Sequence, residues 1–352
     1  MQLTSIDMID YKKNNLDFFR VIATVQVFLG HFISHFTFSN EYTVFIVYFI
    51  RGVPILFALC GFFAAKSFEA IVDNENNIWG GVKSYWINRM KRILPEFWLC
   101  IIINTLVISV VYEITPSVSE GIIYLVTQFF WMNFYTGGWL RGYGVGTPNG
   151  VLWTIPVQLQ FFLFVPIFHK LLKCMSLKNS IIVVSFFTLI SIITMRICLY
   201  LPEIVGKLIG VTVIPYLYFL ILGMVIWYHR DFLVSLFHRY RYFVLTGYII
   251  WKICEELFPF THIFDGVLYN TITTLLLIIL VFSFGFIRNW HMKTDLTYGF
   301  YLYHMVFINL VIHFGLVEFV SWRECIIVFC AIVLITILCA WLSKNIIKVL
   351  HL

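Results

Sequence analysis

Long apolar segments separated by short polar ones dominate the chain, and most are long enough for a helix to cross a bilayer core. They do not show the alternation that is typical of membrane-spanning strands. A shorter apolar stretch, at about 120–135, lies in the longest loop on the outer side. The pattern predicts an all-α integral membrane protein, a bundle of about ten transmembrane helices plus a short re-entrant or interfacial helix. The ten predicted segments are about 18–38, 44–65, 96–112, 151–170, 179–200, 208–228, 242–258, 266–287, 297–315 and 323–343.

The composition supports a membrane protein and excludes an ordinary soluble domain. Of the 352 residues, 61% are hydrophobic and only 12% are charged, with a mean hydropathy of +0.90. A soluble domain carries about a quarter charged residues. No cleavable signal peptide is expected, since the first fifteen residues are polar. The eight cysteines lie mostly in apolar segments without a CxxC pair, which predicts buried side chains rather than disulfides or zinc ligands.

The distribution of positive charge predicts the orientation. Seventeen of the 24 Lys and Arg residues fall at segment ends that would be cytoplasmic if the N-terminus is inside, whereas only Arg141, Lys207 and Arg323 fall on the opposite side. This asymmetry favours an even number of spans with both termini cytoplasmic, in the bacterial inner membrane. Topology also explains the net charge of +6, so no nucleic-acid partner is predicted.

Arg20 and His31 are the first candidate site residues. Their eleven-residue spacing brings both side chains to nearly one helix face and separates them by about 16 Å along the axis. Ionisable groups inside a membrane helix indicate function by default. The alternatives are that Arg20 is a membrane anchor paired with Asp17 and that His31 is a packed core histidine. His35 follows one turn after His31, but no Cys or carboxylate cluster accompanies them, so no metal site is predicted.

Three further constellations contain polar side chains within or beside apolar segments. Arg89 and Arg92 are three residues apart, and their guanidinium groups suit phosphate, although a topology signal would look the same. Gln158 and Gln160 follow Trp153 and could bind a substrate or join helices. His304, at the end of a run from Asp295, could be a proton relay, a cofactor contact or a packed histidine. Arg51 adds an intramembrane charge near the outer half, where a substrate could meet it.

Together these segments resemble the membrane-bound acyltransferase family 3, over most of the chain. The chain departs from the family pattern at Gln158, where many members have Glu, at Cys60, where Ser is usual, and at Pro54, where many have an acidic residue. The resemblance rests on Arg20-x10-His31, Arg89-x-x-Arg92, Arg51-Gly52-Val53-Pro54 with Cys60-Gly61-Phe62, Trp153 through Phe162, and Thr297-Tyr298 through His304.

The resemblance implies a single membrane domain over 1–352, without the SGNH-type soluble domain of some relatives. It implies transfer of an acyl group, with acetyl expected, from cytoplasmic acyl-CoA to a hydroxyl of a surface polysaccharide such as O-antigen or its lipid-linked precursor. Succinyl transfer to an exopolysaccharide is the alternative, because the departures resemble the polysaccharide-intercellular-adhesin branch. A polysaccharide or lipid exporter is the alternative from another class, but it should show repeats or interrupted helices in matching halves.

The family's motifs also imply roles for individual residues. His31 would be the general base for the acceptor hydroxyl or would carry the acyl group, and Arg20 would assist it. The phosphates and thioester arm of acyl-CoA fit the Arg20–His31 separation. Membrane lipid is a further expected partner, whereas the sequence does not indicate an oligomeric state. The residues expected to contact acyl-CoA are Arg20, Arg89, Arg92, Tyr298 and His304, and those expected to contact the glycan or lipid-linked glycan are Arg51, Trp153, Gln158 and His35.

Overall fold

The computed structural model describes residues 14–36, 41–73, 78–257, 266–318 and 321–350, and these residues form helices and loops without any strand. The predicted segment ends at 37–38 and 258 lie outside the described residues, as does the polar stretch 1–13. The all-α prediction is confirmed for the described part. The helices are α1 Leu16–His35, α2 Glu41–Tyr48, α3 Gly52–Val72, α4 Ile78–Val111, α5 Val118–Phe129, α6 Thr154–Leu172, α7 Leu177–Cys198, α8 Glu203–Gly210, α9 Leu217–Tyr228, α10 Arg230–Arg239, α11 Arg241–Leu257, α12 Gly266–Phe284, α13 Thr297–His313 and α14 Trp322–Val349, with short 3-10 helices at Gly138–Leu140, Gly150–Trp153 and Ile214–Tyr216.

The number of helices that could cross a membrane is smaller than predicted. In the described residues six stretches are long and apolar enough, or seven if the bent pair Glu203–Gly210 and Ile214–Tyr228 is one span. The prediction of about ten spans is therefore not confirmed. The other three predicted segments form the helices α11, α12 and α13, of which α11 and α13 have only 17 residues each. The six stretches are Leu16–His35, Thr43–Val72, Trp79–Val111, Gly150–Leu172, Leu177–Cys198 and Trp322–Val349.

The short apolar stretch predicted at about 120–135 forms α5, a helix of 12 residues. Such a helix is about 18 Å long and does not reach across a bilayer core of about 30 Å. Its start is fixed by a capping box, because the Ser117 hydroxyl accepts from the Glu120 N–H and the Glu120 carboxylate accepts from the Ser117 N–H. The structure thus confirms a short helix here, and its place at a membrane surface stays a prediction.

The cysteines are all free thiols, but their environments differ. Cys100 and Cys325 are buried as predicted, whereas Cys174 and Cys330 are exposed. The prediction was wrong for these two because Cys174 lies just beyond the end of α6 and Cys330 lies on an exposed face of α14.

The described chain divides into two compact units, and the division falls within α1, α4 and α6. The first unit contains the described residues of 14–23, 49–85 and 158–293. Its closest helix pair is α3 with α9, where the backbones touch at two glycines. A methyl group on Gly61 would overlap the Leu220 carbonyl, and one on Gly223 would overlap the Ala58 carbonyl. Small residues at helix contacts allow this approach and the van der Waals packing that stabilises membrane helix pairs.

The start of α1 is also held within the first unit, by the segment that follows α12. The Asn15 N–H donates to the Gly285 carbonyl at 2.9 Å, and the Trp290 N–H donates to the Asn14 carbonyl at 3.0 Å. The fully buried Leu16 side chain packs where a larger residue than Gly285 would not fit. These contacts fix the position at which α1 begins and therefore the positions of its first polar residues.

The second unit contains the described residues of 24–48, 86–157 and 294–352. Three buried asparagines fix its loop before α6. The Asn309 amide donates to the Thr147 and Pro148 carbonyls at 2.9 Å, the Asn104 amide donates to Pro148 at 3.3 Å, and the Asn149 amide donates to the Leu302 carbonyl at 2.9 Å. Because these bonds run between α4, the loop and α13, they position α13 in the second unit.

Candidate active site

His31 and His304 face each other in the second unit. Their ring centroids are 5.5 Å apart and their planes are inclined by 37°. His31 is half-buried near the end of α1, and His304 is fully buried in the middle of α13. Phe28 packs edge-on against His304, with centroids 5.9 Å apart, and Phe300 stacks with it at 6.3 Å, while Phe28 and Phe300 also contact each other at 5.6 Å. We call His31 and His304 the histidine pair.

The hydrogen bonding of His304 fixes which ring nitrogen carries its proton. The Nδ1 atom lies 3.2 Å from the Phe300 carbonyl oxygen, which can only accept, so Nδ1 is the donor. Nε2 is then an acceptor, and it is buried without a hydrogen-bond partner among the described residues. A buried acceptor without a partner costs free energy, so Nε2 is a candidate for contact with a water, a substrate or a reacting atom.

The histidine pair is connected to the start of α6 through Tyr301. The Tyr301 ring lies 6.0 Å from the His304 ring, and its hydroxyl is 3.1 Å from the Thr154 hydroxyl. Thr154 also donates to the Val151 carbonyl, which belongs to the 3-10 helix that contains Trp153. Trp153 is half-buried there. The short helix before α6 is thus tied to α13 beside His304.

Arg20 is placed in the first unit, on the same continuous helix as His31. This confirms the prediction that one helix carries both side chains. The Arg20 guanidinium pairs with the Asp17 carboxylate at 3.3 Å, as the anchor interpretation expected. Asp17 also lies 3.4 Å from His291 Nδ1 and 3.4 Å from the Met292 N–H, so its carboxylate is held by the segment after α12.

Arg89 and Arg92 lie on α4 in the second unit, but their exposure differs. Arg89 is buried, with 8% of its surface exposed, whereas Arg92 is exposed. The Tyr298 hydroxyl donates to the Ile93 carbonyl at 3.1 Å. Tyr298, one of the predicted contacts of acyl-CoA, therefore reaches α4 one residue beyond Arg92.

Glu96 lies one turn beyond Arg92 on α4 and was missed by the sequence reasoning. Its carboxylate accepts from the Ser343 hydroxyl at 2.9 Å and packs against Gly299, where a methyl group would overlap it. Next to this contact, Lys344 donates to the Asp295 carbonyl at 2.8 Å. A carboxylate within the predicted third segment was a readable signal, since acidic residues inside membrane helices are rare.

Arg51 lies in the first unit, at the N-cap of α3, and is paired. Its Nη1 donates to the Asn270 side-chain oxygen at 2.7 Å, and its Nη2 lies 3.7 Å from the Glu255 carboxylate. The remaining predicted acceptor contacts, Gln158 in α6 and His35 in the last turn of α1, are half-buried. Gln160, not Gln158, joins helices: it donates to the Val211 carbonyl and accepts from the Val213 N–H, at the break between α8 and α9.

A second polar group in the first unit joins four charged side chains and one indole, and we call it the Glu69 cluster. Its members are Glu69, Asp73, Lys173, Arg230 and Trp227. The Trp227 Nε1 donates to the Glu69 carboxylate at 2.8 Å, and Lys173 and Arg230 lie 3.5 and 3.9 Å from it. Lys173 also pairs with Asp73 at 3.1 Å. Partial burial opposes the charge of Lys173, but the carboxylates of Asp73 and Glu69 outweigh it and raise its pKa.

In the described part of the chain, no three His, Cys, Asp or Glu side chains lie close enough together to hold a metal ion. The chemistry available at the histidine pair is proton transfer, since a neutral imidazole accepts a proton and returns it.

Comparisons with known proteins agree on one family. No solved structure matches the chain. Nodulation protein 10 of Rhizobium leguminosarum bv. viciae is 25% identical over 187 residues, which is 49% of this chain and 48% of the relative. The putative peptidoglycan O-acetyltransferase YrhL of Bacillus subtilis (strain 168) is 24% identical over 44% of this chain and 23% of its own length. The peptidoglycan O-acetyltransferase OatA of Listeria monocytogenes serovar 1/2a is 26% identical over 44% of this chain and 24% of its own length.

These matches span about half of the length of the first relative and about a quarter of the other two. The profile of the acyltransferase 3 family, described as an acyltransferase domain, matches residues 13–344 and so covers nearly all of the chain. The chain belongs to the acyltransferase 3 family.

Proposed function

We propose that the protein is a membrane O-acyltransferase that transfers an acyl group from cytoplasmic acyl-CoA to a hydroxyl of a cell-envelope glycan or its lipid-linked precursor. The transferred group is acetyl, which agrees with the names of two relatives as peptidoglycan O-acetyltransferases. The enzyme lies in the bacterial inner membrane with both termini cytoplasmic, as the charge asymmetry predicts. The observation that carries the proposal is the histidine pair, within a chain whose family is established.

The proposed reaction needs one proton acceptor beside the acceptor hydroxyl. The His31 imidazole takes the hydroxyl proton while the oxygen attacks the thioester carbonyl, so a C–O bond forms and the C–S bond breaks. The leaving thiolate then receives that proton from the imidazolium, and both groups return to their starting charge. Direct transfer is preferred to an acyl-histidine intermediate, because it needs only one proton acceptor. His31 takes the proton from the hydroxyl and then gives it to the leaving thiolate.

His304 is proposed as the positioning residue for His31. Its ring is fixed in orientation, because Nδ1 is held by the Phe300 carbonyl and the Phe28 and Phe300 rings pack against it. The fixed ring limits the orientations open to the neighbouring His31 ring, and an oriented base transfers a proton faster. Its free Nε2 is an acceptor beside His31 that can favour the imidazolium formed during transfer.

The donor phosphates are proposed to bind near Arg89 and Arg92 on α4, at the cytoplasmic end that the charge pattern assigns. Guanidinium groups bind phosphate through paired hydrogen bonds. Tyr298, which donates to the backbone just beyond Arg92, would support the same site. Arg20 stays a predicted contact of the donor, and Arg51, Trp153, Gln158 and His35 stay predicted contacts of the acceptor.

The test measures label transfer from radiolabelled acetyl-CoA into membrane glycan, with succinyl-CoA as a parallel donor. His31→Gln is expected to lower transfer by at least about 100-fold, the contribution typical of a general base. His229→Gln, where α9 meets α10, is the matched control and should leave transfer unchanged, since the His229 Nε2 is paired with the Ser180 hydroxyl at 2.9 Å. Mass spectrometry of glycans from a deletion strain names the group lost. A His31→Gln protein of equal abundance and full activity would contradict the proposal.

A further inference from the structure

Four polar side chains converge in the first unit where α3 begins, α11 ends and α12 begins. They are Arg51, Lys252, Glu255 and Asn270, and we call them the Lys252 cluster. Lys252 pairs with Glu255 at 2.6 Å, and Arg51 lies 3.7 Å from the other oxygen of the same carboxylate. Asn270 accepts from Arg51 at 2.7 Å. The Glu255 carboxylate thus lies between two cations.

The Lys252 cluster contains more positive charge than its own carboxylate neutralises. Lys252 is deeply buried, with only 5% of its side chain exposed, although an ammonium group inside an apolar helix is expensive. Arg51 is 27% exposed, and its contact with Glu255 exceeds hydrogen-bond distance. Among the described residues its guanidinium, which has five N–H donors, makes one hydrogen bond, to Asn270. Two cations and one carboxylate leave a net charge of +1 for an anion to neutralise.

The surroundings indicate how an anion would reach these cations. On α11 the neighbouring positions Ile249, Ile250 and Ile253 are exposed by 38%, 55% and 45%. Exposed isoleucines on a helix of a membrane protein are suited to contact with lipid chains. Asn270 is exposed as well. The Lys252 cluster therefore adjoins a surface suited to lipid, and a lipid-borne anion could approach it with its chains against the isoleucines.

We propose that the Lys252 cluster binds the phosphate group of a lipid. Arg51 would supply paired N–H donors to the phosphate, Lys252 a compact charge, and Asn270 would hold the guanidinium in place. Glu255 keeps the two cations together when the site is empty and competes with the phosphate for them when it is filled. This inference goes beyond the proposed acyl transfer, because binding is measured without donor or acceptor. Both a phospholipid headgroup and a polyprenyl phosphate carry the required group.

The experiment uses the full chain in phosphatidylcholine nanodiscs, titrated with dioleoyl phosphatidic acid and followed by native mass spectrometry. Arg51→Gln and Lys252→Met are each expected to weaken binding about tenfold or more, the effect of losing one charged hydrogen bond. Glu255→Gln is expected to tighten binding, because it removes the competing carboxylate. Lys207→Met is the matched control, since Lys207 also pairs with a glutamate of its own helix, Glu203, but is 73% exposed.

The opposite sign expected for Glu255→Gln separates a binding site from a purely structural ion-pair network. If all three variants weaken binding alike, or if Arg51→Gln and Lys252→Met bind like the wild type, the proposal is overturned. Should Lys252→Met fail to fold, Asn270→Ala at its exposed position replaces it, and unchanged binding there also overturns the proposal. A second titration with a polyprenyl phosphate identifies the source: tighter binding than phosphatidic acid indicates a carrier lipid, and weaker binding indicates a bulk headgroup.

Discussion

The histidine pair and the Glu69 cluster both contain ionisable side chains within largely apolar helices, but their polar atoms are satisfied very differently. Glu69 accepts from Trp227 and lies near two cations, and Arg230 packs over the Trp227 ring, 4.2 Å from its centroid. In the histidine pair, by contrast, Nε2 of His304 is buried without a partner in the described structure.

This difference suggests that burial alone does not identify a reactive group. A paired carboxylate is stabilised in one protonation state and one geometry, and it fastens helices together. An acceptor that is held in place but lacks a partner is available to interact with a proton or a reacting atom. We therefore expect the Glu69 cluster to respond to substitution through stability and the histidine pair through activity.

The largest effect is expected from Glu69→Ala. Removal of the carboxylate leaves Trp227 Nε1 without its acceptor and takes one carboxylate away from Lys173 and Arg230, and breaking such a partly buried pair typically lowers the free energy of unfolding by about 3 kcal/mol. Thermal unfolding of the protein in nanodiscs measures this loss. Transfer per folded molecule should not change, and a selective loss of transfer at unchanged stability would remove the contrast between the two regions.

A smaller effect, of about 2 kcal/mol in the activation free energy, is expected from His304→Asn, which corresponds to about a 30-fold slower transfer. The asparagine amide can keep the donation to the Phe300 carbonyl but removes Nε2. His304→Gln, whose amide nitrogen or oxygen reaches toward the Nε2 position, should recover part of the rate. The measurement is kcat and KM for the acyl donor, and kcat is expected to fall while KM stays constant. Equal behaviour of both variants would indicate packing alone.

The smallest effect is expected from Lys173→Met. The Lys173 side chain is 40% exposed, and exposed ion pairs contribute at most about 1 kcal/mol. The free energy of unfolding should fall by about 0.5 kcal/mol and the difference from the wild type should shrink in high salt, because salt screens exposed charges. Chemical unfolding at low and high salt measures both. A loss as large as that of Glu69→Ala would mean that Lys173, rather than Trp227, is the main partner of Glu69.

Much of the helical order could be predicted from local hydropathy. The first segment, predicted at 18–38, corresponds to α1 at Leu16–His35 because its apolar run starts close to Asp17. The third segment, predicted to begin at 96, begins at Ile78 because Lys83, Arg89 and Arg92 reduce the hydropathy of its first turns without preventing a helix. The number of spans was less predictable, since a 17-residue helix such as α13 can be buried by its neighbours rather than by lipid.

The candidate site was predictable in its residues but not in its contacts. The spacing of Arg20 and His31 indicated one helix, and His304 was found from its place after a run of aromatic residues. Their pairing was not predictable, because the distance between α1 and α13 depends on how the second unit packs. The same applies to Glu69, whose partners Trp227 and Arg230 lie on other helices. Lys252 has its partner Glu255 on its own helix, but the approach of Arg51 to that carboxylate was not predictable.

The glycine contact between α3 and α9 has a consequence for how the protein is made. Gly61 and Gly223 come together through backbone atoms, so their contact cannot form until both helices have been synthesised. At the usual rates of synthesis, α9 follows α3 after an interval on the order of ten seconds. During that interval the Gly61 face has no α9 to pack against, and the helices α4 to α8 emerge first. The tightest helix contact of the first unit is therefore a late step of assembly, and a nascent chain interrupted before α9 would present the Gly61 face to the insertion and quality-control machinery.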